Sequence, residues 1–313
     1  MNNYANYLYI AIRAALDAGK AIMDIYTDPE SDFGIERKAD NSPLTKADKK
    51  AHAIISMALS VTPFPVLSEE GKETPFAERS GWDMLWIVDP LDGTKEFIKK
   101  NGEFTVNIAL VKEGVPVLGV IYVPVRKELY FAADSLGAFK LAEIDYGYQP
   151  SMDEIKTKAI RLPMPMGHQG VVVVASRSHQ TEETTAFIEN LRKQGQPVTL
   201  ISSGSSLKIC LVAEGTADVY PRFAPTMEGD TAAVLAELMA HNVTAQYGAS
   251  RFPNMDVCAK SGTAEVGGGK APHAWFAGFL RNPDAPYAFV VLVEDGGSGA
   301  DAAGSVAARG LDA

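Results

Sequence analysis

The chain has 313 residues, of which 46% are hydrophobic and 22% are charged, and this balance predicts one large or two ordinary globular domains rather than a disordered chain. Its 39 acidic and 29 basic side chains give a net charge of −10, which disfavours nucleic-acid binding because phosphate backbones are also negative. The longest apolar stretches fall short of the roughly 18 to 20 residues that a membrane helix needs, so no transmembrane segment is predicted.

Two helices are predicted near the start of the chain. Apolar residues recur at close to helical spacing through residues 1–26. Thr45, followed three residues later by Asp48, is typical of a capping box and predicts the start of a second helix. We expect this second helix to end before Pro63, because proline disrupts a helix interior.

Two short strands with acidic ends are predicted next. The stretch FPVLSEEG predicts a strand that runs into Glu69 and Glu70 and stops at Gly71. The stretch DMLWIVD predicts another strand, which ends at Asp89. Carboxylates therefore follow two separate apolar strands.

The pattern changes to β between residues 105 and 141, where four short apolar runs separated by turn signals predict an antiparallel meander. A loose segment containing Pro150, Pro163 and Pro165 follows. After it, strand-like and helix-like stretches alternate, which predicts an α/β region.

The stretch WIVDPLDGTKEF places Asp89 and Asp92 three residues apart, where Pro90 and Gly93 permit a sharp turn. Two carboxylates within about 4 to 6 Å of each other repel unless a cation lies between them. Carboxylates, a carbonyl and retained waters are the ligands that Mg²⁺ prefers. The acidic pair therefore predicts a magnesium site.

Two further carboxylates, Glu69 and Asp230, are enough for a second ion that shares Asp89 with the first. The Leu91 carbonyl would complete the shell of the first ion, and the Thr94 hydroxyl could orient a water together with Glu69. Such a pair of ions can clamp a phosphoryl group and lower the pKa of a bound water. The pattern thus predicts a metal-dependent phosphatase.

The chain resembles CysQ-type 3'(2'),5'-bisphosphate nucleotidases of the inositol-monophosphatase superfamily in VLSEEG, WIVDPLDGTKEFIKKNGEFTVNIALV, VVVASRSH, GSSLKICLVAEGTADVYPRF and APTMEGD. The resemblance covers residues 1 to about 233. It implies an α/β (α+β) protein with a layered α/β/α/β/α fold, two or three Mg²⁺ ions as cofactor, and inhibition by lithium. The implied reaction removes the 3'-phosphate of adenosine 3',5'-bisphosphate to give AMP.

The resemblance also implies roles for individual residues. The metal ligands are Glu69, Asp89, Leu91 (through its carbonyl), Asp92 and Asp230. The residues that activate the water are Glu69 and Thr94, assisted by Asp40. The substrate-binding residues are Leu91, Asp92, Gly93, Thr94, Gly204, Ser205, Ser206, Lys208 and Asp230. For residues 204–208, a simple helix start after a strand explains the sequence equally well.

The resemblance ends near residue 233, where Gly229 replaces the family's tryptophan and Val234 its glycine. Residues 234–313 instead resemble the C-terminal end of a penicillin-binding transpeptidase domain, with Lys260-Ser261-Gly262-Thr263 as its K-[ST]-G strand. We therefore predict an N-terminal metal-binding half with the meander (1–150), a C-terminal α/β half (151–233) and a foreign, transpeptidase-like segment (234–313).

Three alternatives to the nucleotidase stay open. The first is an inositol monophosphatase, and the second is a joined chain whose catalysis is impaired because strands that close a sheet are missing. The third is a transpeptidase, which needs S-x-x-K and S-x-N elements as well as K-[ST]-G. The chain has no S-x-N, and its S-x-x-K at residues 205–208 already belongs to the phosphatase pattern.

The two cysteines, Cys210 and Cys258, lie inside or beside apolar runs and form no C-x-x-C pattern. We expect reduced thiols in a cytoplasmic protein, and peripheral association with the inner membrane is left open. The expected partner is a small nucleotide bisphosphate, with no nucleic acid. The oligomeric state is not predicted.

Overall fold

The structure, a computed structural model, describes residues 4–38, 41–72, 74–79, 81–113, 115–134, 136–164, 167, 170–176, 181–193, 197–221, 257–264, 273–280 and 288–293. Contacts divide these residues into two compact units. The first contains the described residues up to Met164 and the segment Ser203–Cys210, and the second contains the others. The predicted boundaries at residues 150 and 233 stay predictions.

The first unit combines helices with a sheet. Its helices are α1 (Tyr4–Tyr26), α2 (Lys46–Leu59), α3 (Phe76–Arg79), α4 (Thr94–Ile98) and α5 (Met152–Lys158). Its strands are β1 (Glu36–Arg37), β2 (Pro43–Leu44), β3 (Val66–Ser68), β4 (Met84–Asp92), β5 (Thr105–Lys112), β6 (Val115–Val123), β7 (Glu128–Ala133), β8 (Gly137–Leu141) and β9 (Ile160–Arg161). The helix predicted over residues 1–26 is confirmed as α1.

Strands β3 to β9 form one seven-stranded sheet in chain order. Strands β3 and β4 are parallel, and each later pair is antiparallel, so the predicted meander is confirmed. Every residue of β5 except Lys112 is buried, which shows that both faces of the sheet are covered at this strand. Helix α1 packs on α2 and on β5, β6 and β7, while α2 also packs on β4.

The capping box predicted for α2 is confirmed. The Thr45 side chain accepts a hydrogen bond from the backbone N–H of Ala47, and the Asp48 carboxylate accepts one from the backbone N–H of Thr45. These bonds satisfy N–H groups that lack a partner within the helix. The helix ends at Leu59, before Pro63, as expected.

Three predictions of local structure are wrong. Strand β4, predicted to end at Asp89, continues to Asp92. The segment predicted to be loose contains α5 and β9, and Ser151 with Glu154 forms a capping box at the start of α5. The strand predicted to reach Gly71 ends at Ser68, because the backbone N–H of Gly71 turns back to the Ser68 carbonyl at 2.9 Å.

The core of the first unit is closely packed around large aromatic side chains. Trp86 and Tyr122 are fully buried. The Trp86 ring nitrogen donates to the Thr62 hydroxyl at 2.9 Å, and the Tyr122 hydroxyl donates to the Ile144 carbonyl at 3.0 Å. Both buried polar groups therefore have a partner, as buried donors require.

The later elements alternate between strand and helix before three further strands. They are β10 (Val171–Ser176), α6 (Glu182–Lys193), β11 (Val198–Ser203), α7 (Leu207–Glu214), β12 (Val257–Ala264), β13 (His273–Leu280) and β14 (Ala288–Val293). Strands β10 and β11 are neighbours in one sheet, which confirms the predicted strand–helix alternation. Strands β12, β13 and β14 form a separate antiparallel sheet, and Lys260–Thr263 lies in β12. In the described parts of the chain, no helix is both long and apolar enough to span a bilayer.

Candidate active site

The end of β4 turns sharply, as its sequence predicts. The pairing of β4 with β5 shifts in register between Asp89 and Asp92. Gly93 follows with φ of 95°, a left-handed backbone conformation that glycine adopts without a steric penalty, and it directly precedes α4. The carboxylate of Asp89 is 97% buried in this turn, and its Oδ1 accepts a hydrogen bond of 3.2 Å from the backbone N–H of Leu91.

Thr94, the first residue of α4, is hydrogen-bonded to Asp48 at the start of α2. Its hydroxyl donates to Asp48 Oδ1 at 3.0 Å and lies 3.3 Å from the Leu91 carbonyl oxygen. The other carboxylate oxygen of Asp48 accepts from the Thr45 backbone N–H at 2.8 Å and from the Thr45 hydroxyl. One carboxylate therefore both caps a helix and contacts a predicted catalytic residue.

Asp48 is almost completely buried, and this burial raises the pKa of its carboxyl group above the ordinary value. Hydrogen bonds from Thr45 and Thr94 oppose the rise in pKa but do not reverse it. The sequence pattern predicts Asp48 only as a capping residue. Asp48 lies on α2, separated from the DPLDGT turn by β3 and α3, so the sequence around it carries no local signal of a second role.

Glu69 and Glu70 both contact one ammonium group. Lys38 Nζ lies 2.7 Å from Glu69 Oε1 and 2.5 Å from Glu70 Oε1. Burial by itself lowers the pKa of Lys38, but the hydrogen bonds and charges of both glutamates reverse this effect and raise it. The Glu70 side chain is only 8% exposed, compared with 46% for Glu69. Sequence reasoning assigned a role to Glu69 alone and overlooked this more buried neighbour.

The pKa of Glu70 is raised mainly by burial. The negative charges of Glu69 and Asp48 add to the increase, whereas Lys38 opposes it. Glu70 therefore lies within electrostatic reach of the Asp48–Thr94 pair as well as of Glu69. The negative charge of these carboxylates favours a bound cation, and the Lys38 ammonium group neutralises part of this charge.

The loop at residues 204–206 packs against the acidic turn in the first unit. The backbone N–H of Ser206 donates to Asp92 Oδ2 at 2.5 Å, and that of Gly204 donates to Glu103 Oε2 at 2.9 Å. The Ser206 hydroxyl lies 2.7 Å from the Thr105 hydroxyl and 3.0 Å from Asn107 Oδ1. The structure thus brings the predicted substrate loop to Asp92 and engages two of its amides with protein carboxylates.

Lys208 also forms a hydrogen bond with Ser205, but this bond does not involve the serine hydroxyl. Lys208 Nζ donates to the Ser205 backbone carbonyl. The Ser205 hydroxyl accepts a long hydrogen bond of 3.4 Å from the Leu207 backbone N–H. A serine nucleophile of the S-x-x-K type needs its hydroxyl close to a basic group, and this arrangement does not provide that contact.

Asp40 and Asp230, both predicted site residues, lie outside the described residues. Among those that are described, no three His, Cys, Asp or Glu side chains are grouped closely enough to hold a metal ion by themselves. The donors that are present nevertheless fit a hard divalent cation. They are oxygen atoms of carboxylates and a carbonyl, and a positive ammonium group already lies between Glu69 and Glu70.

Two family models match parts of the chain. Residues 3–249 match the inositol monophosphatase family, and residues 198–312 match the penicillin binding protein transpeptidase domain. The first match covers most of the chain and includes the acidic turn, the Glu69–Glu70 turn and the loop at residues 204–206. The second match includes strands β12 to β14.

Curated relatives are similar over about three quarters of the chain. The 3'(2'),5'-bisphosphate nucleotidase CysQ of Salmonella typhimurium is 48% identical over 222 residues, which are 70% of this chain and 81% of that protein. The protein of the same name from Escherichia coli is 46% identical over 238 residues, or 75% of this chain and 85% of that protein.

Solved structures share the fold. CysQ from Bacteroides thetaiotaomicron, described as a bacterial member of the inositol monophosphatase family, is 49% identical with a TM-score of 0.71, covering 92% of this chain and 97% of that one. The extragenic suppressor protein suhB from Bartonella henselae is 26% identical with a TM-score of 0.58, covering 74% and 83%. These neighbours confirm the layered α+β fold expected from the sequence.

Proposed function

The chain belongs to the inositol monophosphatase family, and from this premise we propose that it removes the 3'-phosphate of adenosine 3',5'-bisphosphate to give AMP. The observation that carries the proposal is the hydrogen bond between Thr94 and the buried Asp48, beside the turn that contains Asp89 and Asp92. The choice of substrate is supported by the curated bisphosphate nucleotidases, which are 46% and 48% identical.

We propose that two or three Mg²⁺ ions bind at the acidic turn. Their ligands would be Glu69, Asp89, the Leu91 carbonyl, Asp92 and Asp230. When bound, Mg²⁺ lowers the pKa of a coordinated water and neutralises charge on the phosphoryl oxygens. The oxygen-only donor set supports this assignment, and inhibition by lithium is expected from the same resemblance.

Thr94 and Asp48 are proposed to receive the proton of the attacking water. Because the Thr94 hydroxyl donates its own hydrogen to Asp48, its oxygen lone pairs can accept a hydrogen bond from water. Burial raises the pKa of the Asp48 carboxyl group, which makes its carboxylate a stronger proton acceptor than an exposed one. Glu69 stays the second candidate for orienting the water, and Asp40 for assisting it.

The substrate phosphate is proposed to lie at Gly93 and Thr94, where backbone N–H groups begin α4. In the loop at residues 204–208, the amides of Gly204 and Ser206 already donate to protein carboxylates. We therefore expect this loop to contact the nucleotide through the side chains of Ser205 and Lys208. The predicted cytoplasmic location stays a prediction.

The proposal is tested by phosphate release from adenosine 3',5'-bisphosphate by the purified full-length chain in Mg²⁺. We expect release by the wild type and its loss in Asp89→Asn. Asp24→Asn is the matched control, because Asp24 is exposed and its partner among the described residues is Lys20, four residues away. Faster hydrolysis of inositol 1-phosphate would favour the inositol monophosphatase alternative. A folded wild type that releases no phosphate from either substrate would refute the proposal and support an impaired enzyme.

The transpeptidase alternative is favoured by one observation, the family match over residues 198–312 that includes β12. The Ser205–Lys208 contacts argue against it, since Lys208 binds a carbonyl oxygen rather than a serine hydroxyl. Covalent labelling by a fluorescent penicillin would support this alternative. Absence of labelling in a chain that hydrolyses the bisphosphate would exclude it.

A further inference from the structure

His52 lies one helical turn after Asp48 on α2 and contacts the strand that leads to the two glutamates. Its Nδ1 is 2.8 Å from the hydroxyl oxygen of Ser68, the last residue of β3. Ser68 is only 8% exposed. In the described part of the chain, the His52 ring is the only hydrogen-bond partner of the Ser68 hydroxyl. A buried hydroxyl needs such a partner, so the contact restricts the Ser68 side chain.

Ser68 begins the turn that carries Glu69 and Glu70. The backbone N–H of Gly71 closes the turn by donating to the Ser68 carbonyl at 2.9 Å, and the N–H of Glu69 donates to the Val88 carbonyl at 3.0 Å. Val88 directly precedes Asp89. A displacement of Ser68 would therefore move both glutamates relative to the acidic turn.

The His52 ring also packs close to the far side of this turn. A Cβ atom placed on Gly71 would lie 3.5 Å from His52 Cε1 and 3.1 Å from the Ser68 carbonyl oxygen. The ring thus contacts the turn at its beginning and lies beside its end. Burial lowers the pKa of His52, which favours the neutral imidazole, in which one ring nitrogen donates and the other accepts.

We propose that His52 is a positioning residue that holds the Ser68 hydroxyl and thereby fixes the turn that presents Glu69 for metal binding. This inference rests on the proposed function, in which Glu69 is a metal ligand. Helix α2 then connects two parts of the site, because Asp48 contacts Thr94 and His52 contacts the glutamate turn. His52 itself is not among the proposed ligands of the metal or the substrate.

The inference is tested by measuring Mg²⁺ affinity calorimetrically and KM and kcat separately in the full-length chain. We expect His52→Ala to weaken Mg²⁺ binding about tenfold, as is usual when a residue supporting a metal ligand is removed. At saturating Mg²⁺, kcat should stay close to the wild-type value. Ser68→Ala should weaken Mg²⁺ binding to a similar extent. The double variant should lose no more Mg²⁺ affinity than the more affected single variant, because both changes remove the same His52–Ser68 contact.

Two further variants separate positioning from a general loss of structure. His52→Gln keeps a side chain that can hydrogen-bond Ser68, and we expect it to recover most of the Mg²⁺ affinity. Met57→Ala is the control on the same helix, since Met57 is 79% exposed, and it should bind Mg²⁺ like the wild type. Thermal unfolding of each variant shows whether an affinity loss merely follows a loss of folded protein.

Hydrogen–deuterium exchange in metal-free protein tests the turn directly. We expect the backbone amides of Glu69 and Gly71 to exchange faster in His52→Ala than in the wild type. Unchanged exchange, unchanged Mg²⁺ affinity, or losses that multiply in the double variant would each overturn the inference. A wild type that neither binds Mg²⁺ nor releases phosphate would instead refute the proposed function, while the exchange result still decides whether His52 holds the turn.

Discussion

Replacement of Asp48 by asparagine should remove activity while leaving the fold as stable as the wild type or more stable. The amide has nearly the same shape as the carboxylate. Its oxygen can accept from the Thr45 backbone N–H and hydroxyl, which keeps a helix cap worth about 1 kcal/mol. Its NH₂ group then faces the Thr94 hydroxyl.

The direction of the stability change follows from the raised pKa of Asp48. Because burial raises this pKa, the folded chain binds the Asp48 proton more tightly than the unfolded chain does. The associated stabilisation is present below the ordinary pKa of 3.8 and is lost as the pH rises through the folded-state pKa. Ionised Asp48 therefore costs stability, and asparagine removes this cost.

The loss of activity should be large. In Asp48→Asn the NH₂ group donates to Thr94, so the Thr94 oxygen can no longer pass a proton to a carboxylate. Removal of a general base typically lowers the rate about 10²- to 10⁴-fold, which corresponds to about 3 to 5 kcal/mol in the activation free energy. The assay is kcat for phosphate release at saturating Mg²⁺, measured together with the melting temperature.

Thr45→Ala is the matched comparison for this variant. It removes the cap oxygen and should cost about 1 kcal/mol of stability, but it keeps the Asp48–Thr94 bond and most of the rate. Wild-type kcat in Asp48→Asn would refute the proposed role of Asp48. If the loss of kcat in Asp48→Asn were fully explained by a smaller fraction of folded protein, the proposed role of Asp48 would also be refuted.

Three other changes test the packing of the first unit and the charges of the glutamate turn. Gly19→Ala would place a methyl group too close to the Tyr122 ring. We expect the unfolding free energy, measured by chemical denaturation, to fall by about 1 to 3 kcal/mol. An unchanged denaturation midpoint would contradict the close approach of Gly19 to Tyr122. Lys38→Met leaves Glu69 and Glu70 without their shared ammonium group, so the melting temperature of the metal-free protein should fall. Added Mg²⁺ should raise the melting temperature more in this variant than in the wild type. Burial raises the pKa of Glu70 above 4.5. The metal-free wild type should therefore lose more unfolding free energy between about pH 4.5 and pH 7 than Glu70→Gln does. An equal dependence of the unfolding free energy on pH in the two proteins would contradict this pKa shift.

Local signals in the sequence were sufficient for elements whose cause is local. The Thr45–Asp48 capping box and the four strands of the meander depend on side chains a few residues apart, and both are confirmed. The same reasoning missed α5, although Ser151 and Glu154 have the spacing of a capping box. Three nearby prolines were given more weight than that signal.

Contacts over long sequence distances were not accessible from the pattern. The Thr94–Asp48 bond joins residues 46 positions apart, and the Ser206–Asp92 bond joins residues 114 positions apart. Asp48 was already fully explained as a helix cap, so nothing in its neighbourhood called for a second partner. Such pairings follow only from the arrangement of elements in the fold.

The spacing of Asp48 and His52 on one helix limits how this region can change in evolution. Four residues of α-helix advance about 6 Å and complete slightly more than one turn, so both side chains lie on one face. Insertion or deletion of one residue between them would rotate the later side chain by about 100° and move it away from Ser68. If both side chains have the proposed roles, we expect related enzymes to differ between Asp48 and His52 by substitution and not in length.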